Sequence, residues 1–207
     1  MRSSLGRSKL RRLAWRYEYS QMKTYETKDG VEDYIRMCDG YDNSKFQNEL
    51  LNHLKEGSSL LEVGMGPGND FEWLSNTYRV TGSDYSKEFI EKAKARFPDG
   101  DFIILDAISL KSDKKYDGIY SCKVYQHFEL DLIEKSLKNQ FELLNENGVI
   151  AHSFWIGDTV FEDGDMKAIY HNKDRLLSII RDKFTILEEI EYEEFEPHDS
   201  VFILAKK

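Results

Sequence analysis

The stretch LLEVGMGPGNDFEWL, Leu60 to Leu74, decides the fold. Its apolar opening suits a strand covered on both faces, glycines alternate at positions 64, 66 and 68, and Phe71 and Leu74 follow at helical spacing. A strand that passes into a helix through bared backbone is a common way for an α/β domain to hold a ligand. The dinucleotide fingerprint G-x-G-x-x-G would need glycine at position 69, where Asn69 stands. No Lys-Ser/Thr pair follows, so a phosphate-cradling loop is excluded as well. What stands is Glu62-x-Gly64-x-Gly66-x-Gly68.

Outward from this stretch, helical and strand-like periods alternate. Upstream, NSKFQNELLNHLKEG predicts a helix with Asn43 as N-cap and Gly57 as its stop. Downstream come strand RVTGSD, helix SKEFIEKAKARF capped by Ser86, strands FIIL and DGIYSC, helix DLIEKSLKNQFELLNENG and strand VIAHSFW. That cycle predicts a mostly parallel sheet with helices on both faces and its ligand-binding loops along one edge. The cycle breaks near the end. TILEEIEY and SVFILAKK are separated only by EEFEPHD, too short for a helical crossover, which predicts an antiparallel hairpin. IGDTVFEDGDMKAIYH lacks clear periodicity and is expected to be a loop over the binding edge.

Composition narrows the function classes. The 207 residues, 40% hydrophobic, suffice for one full core. A formal charge of −9 argues against non-specific nucleic-acid binding, which depends on clustered Lys and Arg. Cys38 and Cys122 stand far apart without a CxxC or Cys/His cluster, so no metal site is expected and a reducing cytoplasm fits. No apolar run reaches membrane-spanning length. Met1 to Tyr17 carries six basic residues and no acid, which leaves −15 on the remainder. Three readings stand for it: a targeting presequence, a basic arm, or a helix laying Leu10, Leu13, Ala14 and Tyr17 on the main domain. The expected division is an N-terminal basic arm and cap over 1–42 and a catalytic domain over 43–207.

On the acid-plus-glycines motif, the sequence resembles the class I S-adenosylmethionine-dependent methyltransferases, over about Asn43 to Lys207. The resemblance implies a Rossmann-like fold with seven strands, the last inserted antiparallel beside the fifth, and S-adenosyl-L-methionine as cofactor, released as S-adenosyl-L-homocysteine. It assigns the ribose hydroxyls to Asp84, which ends VTGSD, with Tyr85 beside it. It assigns the adenine side to Asp106 and Ala107 in ILDAI, and the methionine part to Cys122 and Lys123. Glycine at 64, 66 and 68 lets backbone approach the cofactor, and Glu62 adds negative charge near its ammonium.

Methyl transfer needs a nucleophile held in line and water kept away, with a base for some acceptors only. His127 is the candidate base, and Tyr125 a second catalytic candidate or a pocket wall. SCKV has no proline, which sets the chain apart from amino-directed nucleic-acid methylases, and the region offers no Mg²⁺-binding acids. A small-molecule acceptor is therefore expected, without nucleic acid or membrane. Phe154, Trp155, Asp158, Glu162, Asp163 and Asp165 suggest an aromatic, acidic mouth for an amine, and Tyr25, Tyr34 and Tyr41 a lid. A nicotinamide-dependent oxidoreductase and a non-catalytic cofactor-binding module are the competing readings.

Overall fold

A computed structural model describes residues 25, 27–38, 40, 43–163 and 166–207. The expected helix around Leu10 to Tyr17, and Tyr41 and Asp165, lie outside them. The described elements are helices α1 (Lys28–Met37), α2 (Gln47–His53), α3 (Asn69–Ser75), α4 (Lys87–Arg96), α5 (Leu130–Leu143) and α6 (Lys173–Arg181). The strands are β1 (Ser59–Val63), β2 (Arg79–Asp84), β3 (Asp101–Ile104), β4 (Tyr116–Ser121), β5 (Leu144–Trp155), β6 (Val160–Asp163), β7 (Met166–Ile169), β8 (Thr185–Tyr192) and β9 (Ser200–Lys206).

Seven strands form one sheet in the order β3-β2-β1-β4-β5-β9-β8. The first five pair in parallel, while β9 runs antiparallel between β5 and β8. This is the expected sheet, including the terminal hairpin. The order reverses between β1 and β4, and an open sheet of this kind leaves a crevice at such a switch point.

Strand alternation explains how the core divides. Leu60 points into a cluster completed by Leu50 of α2, Phe71 and Leu74 of α3 and Ile90 of α4. Leu61 and Val63 point into the opposite cluster, with Ile133 and Leu137 of α5 and Leu176 and Ile180 of α6. Each such side chain contributes about 1.5–3 kcal/mol by leaving water, so both helical layers are fastened to β1. The loop after β1 is thereby held firmly at the sheet edge.

Three local expectations differ. Asn43 does not cap a helix; it precedes a short 3₁₀ turn and donates its side-chain amide to Asp70, 3.1 Å away. The fifth helix stops at Leu143, and β5 begins at Leu144 rather than Val149. The segment expected as a loop contains a two-stranded sheet, with β6 and β7 paired from Val160–Ile169 to Asp163–Met166. Its alternation was hidden because both faces carry polar residues, so hydrophobic period gave no signal.

Candidate functional site

A narrow cleft of about 80 Å³, open to solvent, lies over the crevice between the ends of β1 and β4. The β1–α3 loop forms one side. Gly64, Gly66 and Gly68 all have positive φ, at 67°, 50° and 79°. A Cβ on Gly64 would stand 2.5 Å from Val124 Cγ2, so this glycine serves close packing against the β4 loop as well as ligand approach. A Cβ on Gly66 would meet nothing nearer than Tyr34 Cε1 at 3.5 Å; it would project into the cleft.

Carboxylates gather around this loop. Glu62 is 3% exposed, and its Oε2 is buried without a hydrogen-bond partner. Burial, then Asp70 and Asp84 nearby, hold its carboxyl well above the usual range. Asp70 accepts hydrogen bonds from Asn43, Tyr120 and Trp73, and burial still raises its pKa. Asp84 ends β2 at 5% exposure. One of its oxygens accepts the Gly66 N–H at 3.0 Å and the other the Ser86 N–H at 2.9 Å. Burial nonetheless pushes its pKa up to about 6. The Tyr85 N–H also favours its charge, and with about four lone-pair sites the carboxylate keeps capacity for a ligand hydroxyl.

The loop after β4 forms the other side. Lys123 takes φ 58° and donates its backbone N–H to Ser153 Oγ at 2.8 Å. This left-handed conformation costs about 1–2 kcal/mol for a residue with a Cβ. It accompanies an ion pair in the cleft wall, Lys123 Nζ to Glu194 Oε1 at 2.9 Å, with both side chains largely buried. Burial pushes the Cys122 thiol up to about 12, so it serves as a wall and not as a nucleophile.

His127 lines the cleft and Tyr125 does not. The His127 Nδ1 lies 2.8 Å from the Lys167 carbonyl on β7, which can only accept, so Nδ1 carries the proton and Nε2 the lone pair. Burial lowers the His127 pKa, which keeps the imidazole neutral near pH 7. Tyr125 is instead a core residue, fully buried, with its hydroxyl bonded to Ser136 and Gln140 and its ring beside His152 and Phe154. Its role as a catalytic group or pocket wall is therefore corrected. A single turn of 3₁₀ helix, Tyr125 to His127, sends one side chain inward and the other toward the cleft.

The remaining expected residues divide. Gly68, Tyr85, Asp106 and Ala107 do not line the cleft, and Asp84 lies behind the Gly66 backbone that does. Asp106 caps its own turn through the Ile108 and Ser109 N–H groups, and the Ala107 carbonyl accepts from Ser136. The half-exposed Tyr85 meets Tyr25 edge to face. Tyr25 and Tyr34 line the cleft, and the Tyr25 carbonyl accepts from Ser86 Oγ at 2.5 Å. Phe154 is core, whereas Trp155 reaches the cleft. Asp158 and Glu162 are exposed, and Glu162 pairs with Lys167. The sequence reading missed Gln126, Glu194 and Phe195. The last two sit in the β8–β9 turn, where Asp199 accepts the N–H groups of Glu194, Phe195 and Glu196.

Comparison with known proteins follows this geometry. Residues 60–148 match the family model of a methyltransferase domain. The overall fold is that of solved methyltransferases. A S-adenosylmethionine-dependent methyltransferase from Clostridium acetobutylicum superposes with a TM-score of 0.71 at 15% identity, covering 85% of this chain and 98% of that one. The chain has the Rossmann-like fold of these methyltransferases. The 1,6-didemethyltoxoflavin-N1-methyltransferase of Burkholderia thailandensis, with S-adenosylhomocysteine bound, gives 0.70 at 19% identity, covering 86% and 85%. In sequence, a trans-aconitate 2-methyltransferase from Enterobacter is 33% identical over 105 residues, which is 47% of this chain and 39% of that relative. The chain thus spans about two fifths of that relative's length. No helix among the described residues is long and apolar enough to cross a membrane, and no metal-binding cluster occurs among them.

Proposed function

We propose that this protein is an S-adenosylmethionine-dependent methyltransferase acting on a small-molecule acceptor. The observation that carries the reading is Glu62: a buried carboxyl with an unpartnered oxygen, raised in pKa by burial and by Asp70 and Asp84, at the rim of a glycine loop. Burial keeps such a group neutral until a cation arrives to favour its ionised form. The amino-acid ammonium and the sulfonium of the methyl donor supply that cation, and Asp84 retains capacity for a ribose hydroxyl. Gly66 leaves the space where the ligand would lie. The residues present fit the cofactor.

When bound, the cofactor supplies an electrophilic methyl group. The rest is the chain's work. The cleft walls hold the acceptor and exclude water, and the acceptor's lone pair forms the new bond as the sulfur keeps the electrons of the old one. His127 Nε2 takes the proton that the acceptor releases and returns it to solvent. We assign the 43–207 segment as the cofactor-binding domain and, of the residues before it, Tyr25 and residues 27–38 as its cover, supported by Tyr25 and Tyr34 in the cleft wall. Two free cysteines support a reducing, cytoplasmic setting.

A nicotinamide dinucleotide suits the cleft poorly, since Glu62 and Asp70 would face its pyrophosphate. A non-catalytic binding module is disfavoured by the neutral, oriented His127. Titration calorimetry tests the reading: S-adenosylhomocysteine is expected to bind, NAD not to, and Glu62→Gln to weaken binding about 10- to 100-fold through the loss of a charge-assisted bond. Binding of 5′-methylthioadenosine, which lacks the amino-acid tail, should be unaffected. A flat titration with S-adenosylhomocysteine, or equal weakening for both ligands, refutes it.

A further inference from the structure

The cleft contains more recognition groups than the methyl donor uses. Gln126 is 3% exposed, and its amide orientation is fixed: the atom 2.6 Å from the Lys123 carbonyl must be the nitrogen, because that carbonyl only accepts. Its Oε1 is therefore the buried acceptor left without a partner, on a residue that lines the cleft beside His127. The same wall holds Glu194, and Trp155 and Phe195 meet edge to face there at 5.5 Å.

Charge decides what this wall can receive. Among the described residues lining the cleft, Glu62, Asp70 and Glu194 are acids, and Lys123 is the one Lys or Arg. Lys123 is already bonded to Glu194. A carboxylate-bearing acceptor would find no uncommitted Lys or Arg among the described lining residues, while an N–H donor would satisfy Gln126 Oε1 and lie against aromatic faces that favour positive charge.

We propose that Gln126, Glu194, Trp155 and Phe195 form an acceptor subsite for an amine, with polycarboxylates excluded. The inference rests on the methyltransferase reading and names its acceptor class. The bound ammonium first releases one proton to solvent; the neutral nitrogen's lone pair then forms the bond to the methyl carbon while the sulfur–carbon bond breaks toward sulfur. The proton shed by the methylated nitrogen goes to His127 Nε2, so charge and atoms balance.

The test uses the full chain saturated with S-adenosylhomocysteine, whose binding is measured first. Benzylamine and tyramine are titrated beside benzyl alcohol and tyrosol, and beside benzoate and tricarballylate. The amines should bind at least about tenfold more tightly than the acids. Glu194→Gln should shrink that preference about tenfold, with the S-adenosylhomocysteine affinity of the variant measured first and the cofactor kept saturating. Gln126→Met, which keeps the volume, should weaken the amines about 5- to 10-fold and is read if the Glu194 variant does not fold. Tighter binding of acids or alcohols, no binding of either amine, or an unchanged preference in the folded variants overturns the inference. In those cases the cofactor affinity shows that the methyltransferase reading stands. Absence of S-adenosylhomocysteine binding sinks both.

Discussion

Lowering the pH should weaken cofactor binding through Asp84. This carboxyl titrates near 6 because burial outweighs the N–H groups of Ser86, Gly66 and Tyr85 that favour its charge. A ribose diol needs the ionised form as acceptor. At pH 5 about one molecule in eleven is ionised, so the Kd for S-adenosylhomocysteine should be about tenfold higher than at pH 7.5, or about 1.4 kcal/mol. Glu62 and Asp70 share the neighbourhood and also have raised pKa values, so Asp84→Asn is needed to isolate the Asp84 share. The amide loses one acceptor and the charge, which weakens binding about 10- to 150-fold at pH 7.5 and removes one proton from the pH slope. The unliganded protein should respond oppositely. The Asp84 pKa rises from 3.8 to about 6 on folding, so its contribution is fully present below pH 3.8 and is lost as the pH rises through 6. That difference is about 3 kcal/mol at neutral pH, and the Asn variant should recover part of it as a higher melting temperature without ligand. Calorimetry from pH 5 to 8 in buffers of different ionisation heat measures affinity and proton uptake together. A pH-independent Kd, or an Asn variant that binds as tightly as the parent with the same slope, would refute the assignment.

Gly64→Ala should destabilise by about 2–5 kcal/mol in urea denaturation, from the positive φ and the 2.5 Å approach to Val124, whereas Gly66→Ala should fold and lose cofactor affinity. A Gly64→Ala variant as stable as the parent would contradict the packing role. His152 is fully buried and neutral, bonded to Ser121 and Gln140, with its pKa lowered from 6.5 to about 3 by burial. Its contribution is present above pH 6.5 and is lost as the pH falls toward 3, so between pH 7.5 and 4.5 the protein should lose roughly 2–3 kcal/mol that His152→Phe does not lose. Parallel pH profiles for parent and variant would rule this out. His127→Ala should lower kcat about 10²- to 10⁴-fold with cofactor affinity within about twofold, and should abolish the acid limb of the rate profile, which lies below pH 6.5. Retention of that limb would assign the proton to another group.

The strands, the terminal hairpin, the glycine loop and the acid at the end of β2 were legible in the sequence, while the place of β9 beside β5 came from the family resemblance. The legible features are local: strand and helix periods, positive-φ glycines and the short EEFEPHD connection each act over a few residues, so no distant contact is needed to read them. The β6–β7 sheet escaped because its residues do not segregate by polarity. What only the tertiary structure decided is which side chains share the cleft. Tyr125 and His127 are two residues apart, and packing alone sends the first into the core and the second to the Lys167 carbonyl, 40 positions along the chain. Glu194 meets Lys123 from a turn 71 positions away. Pairings at that separation are set by how the sheet edges are brought together, and a one-dimensional pattern of polarity holds no record of them.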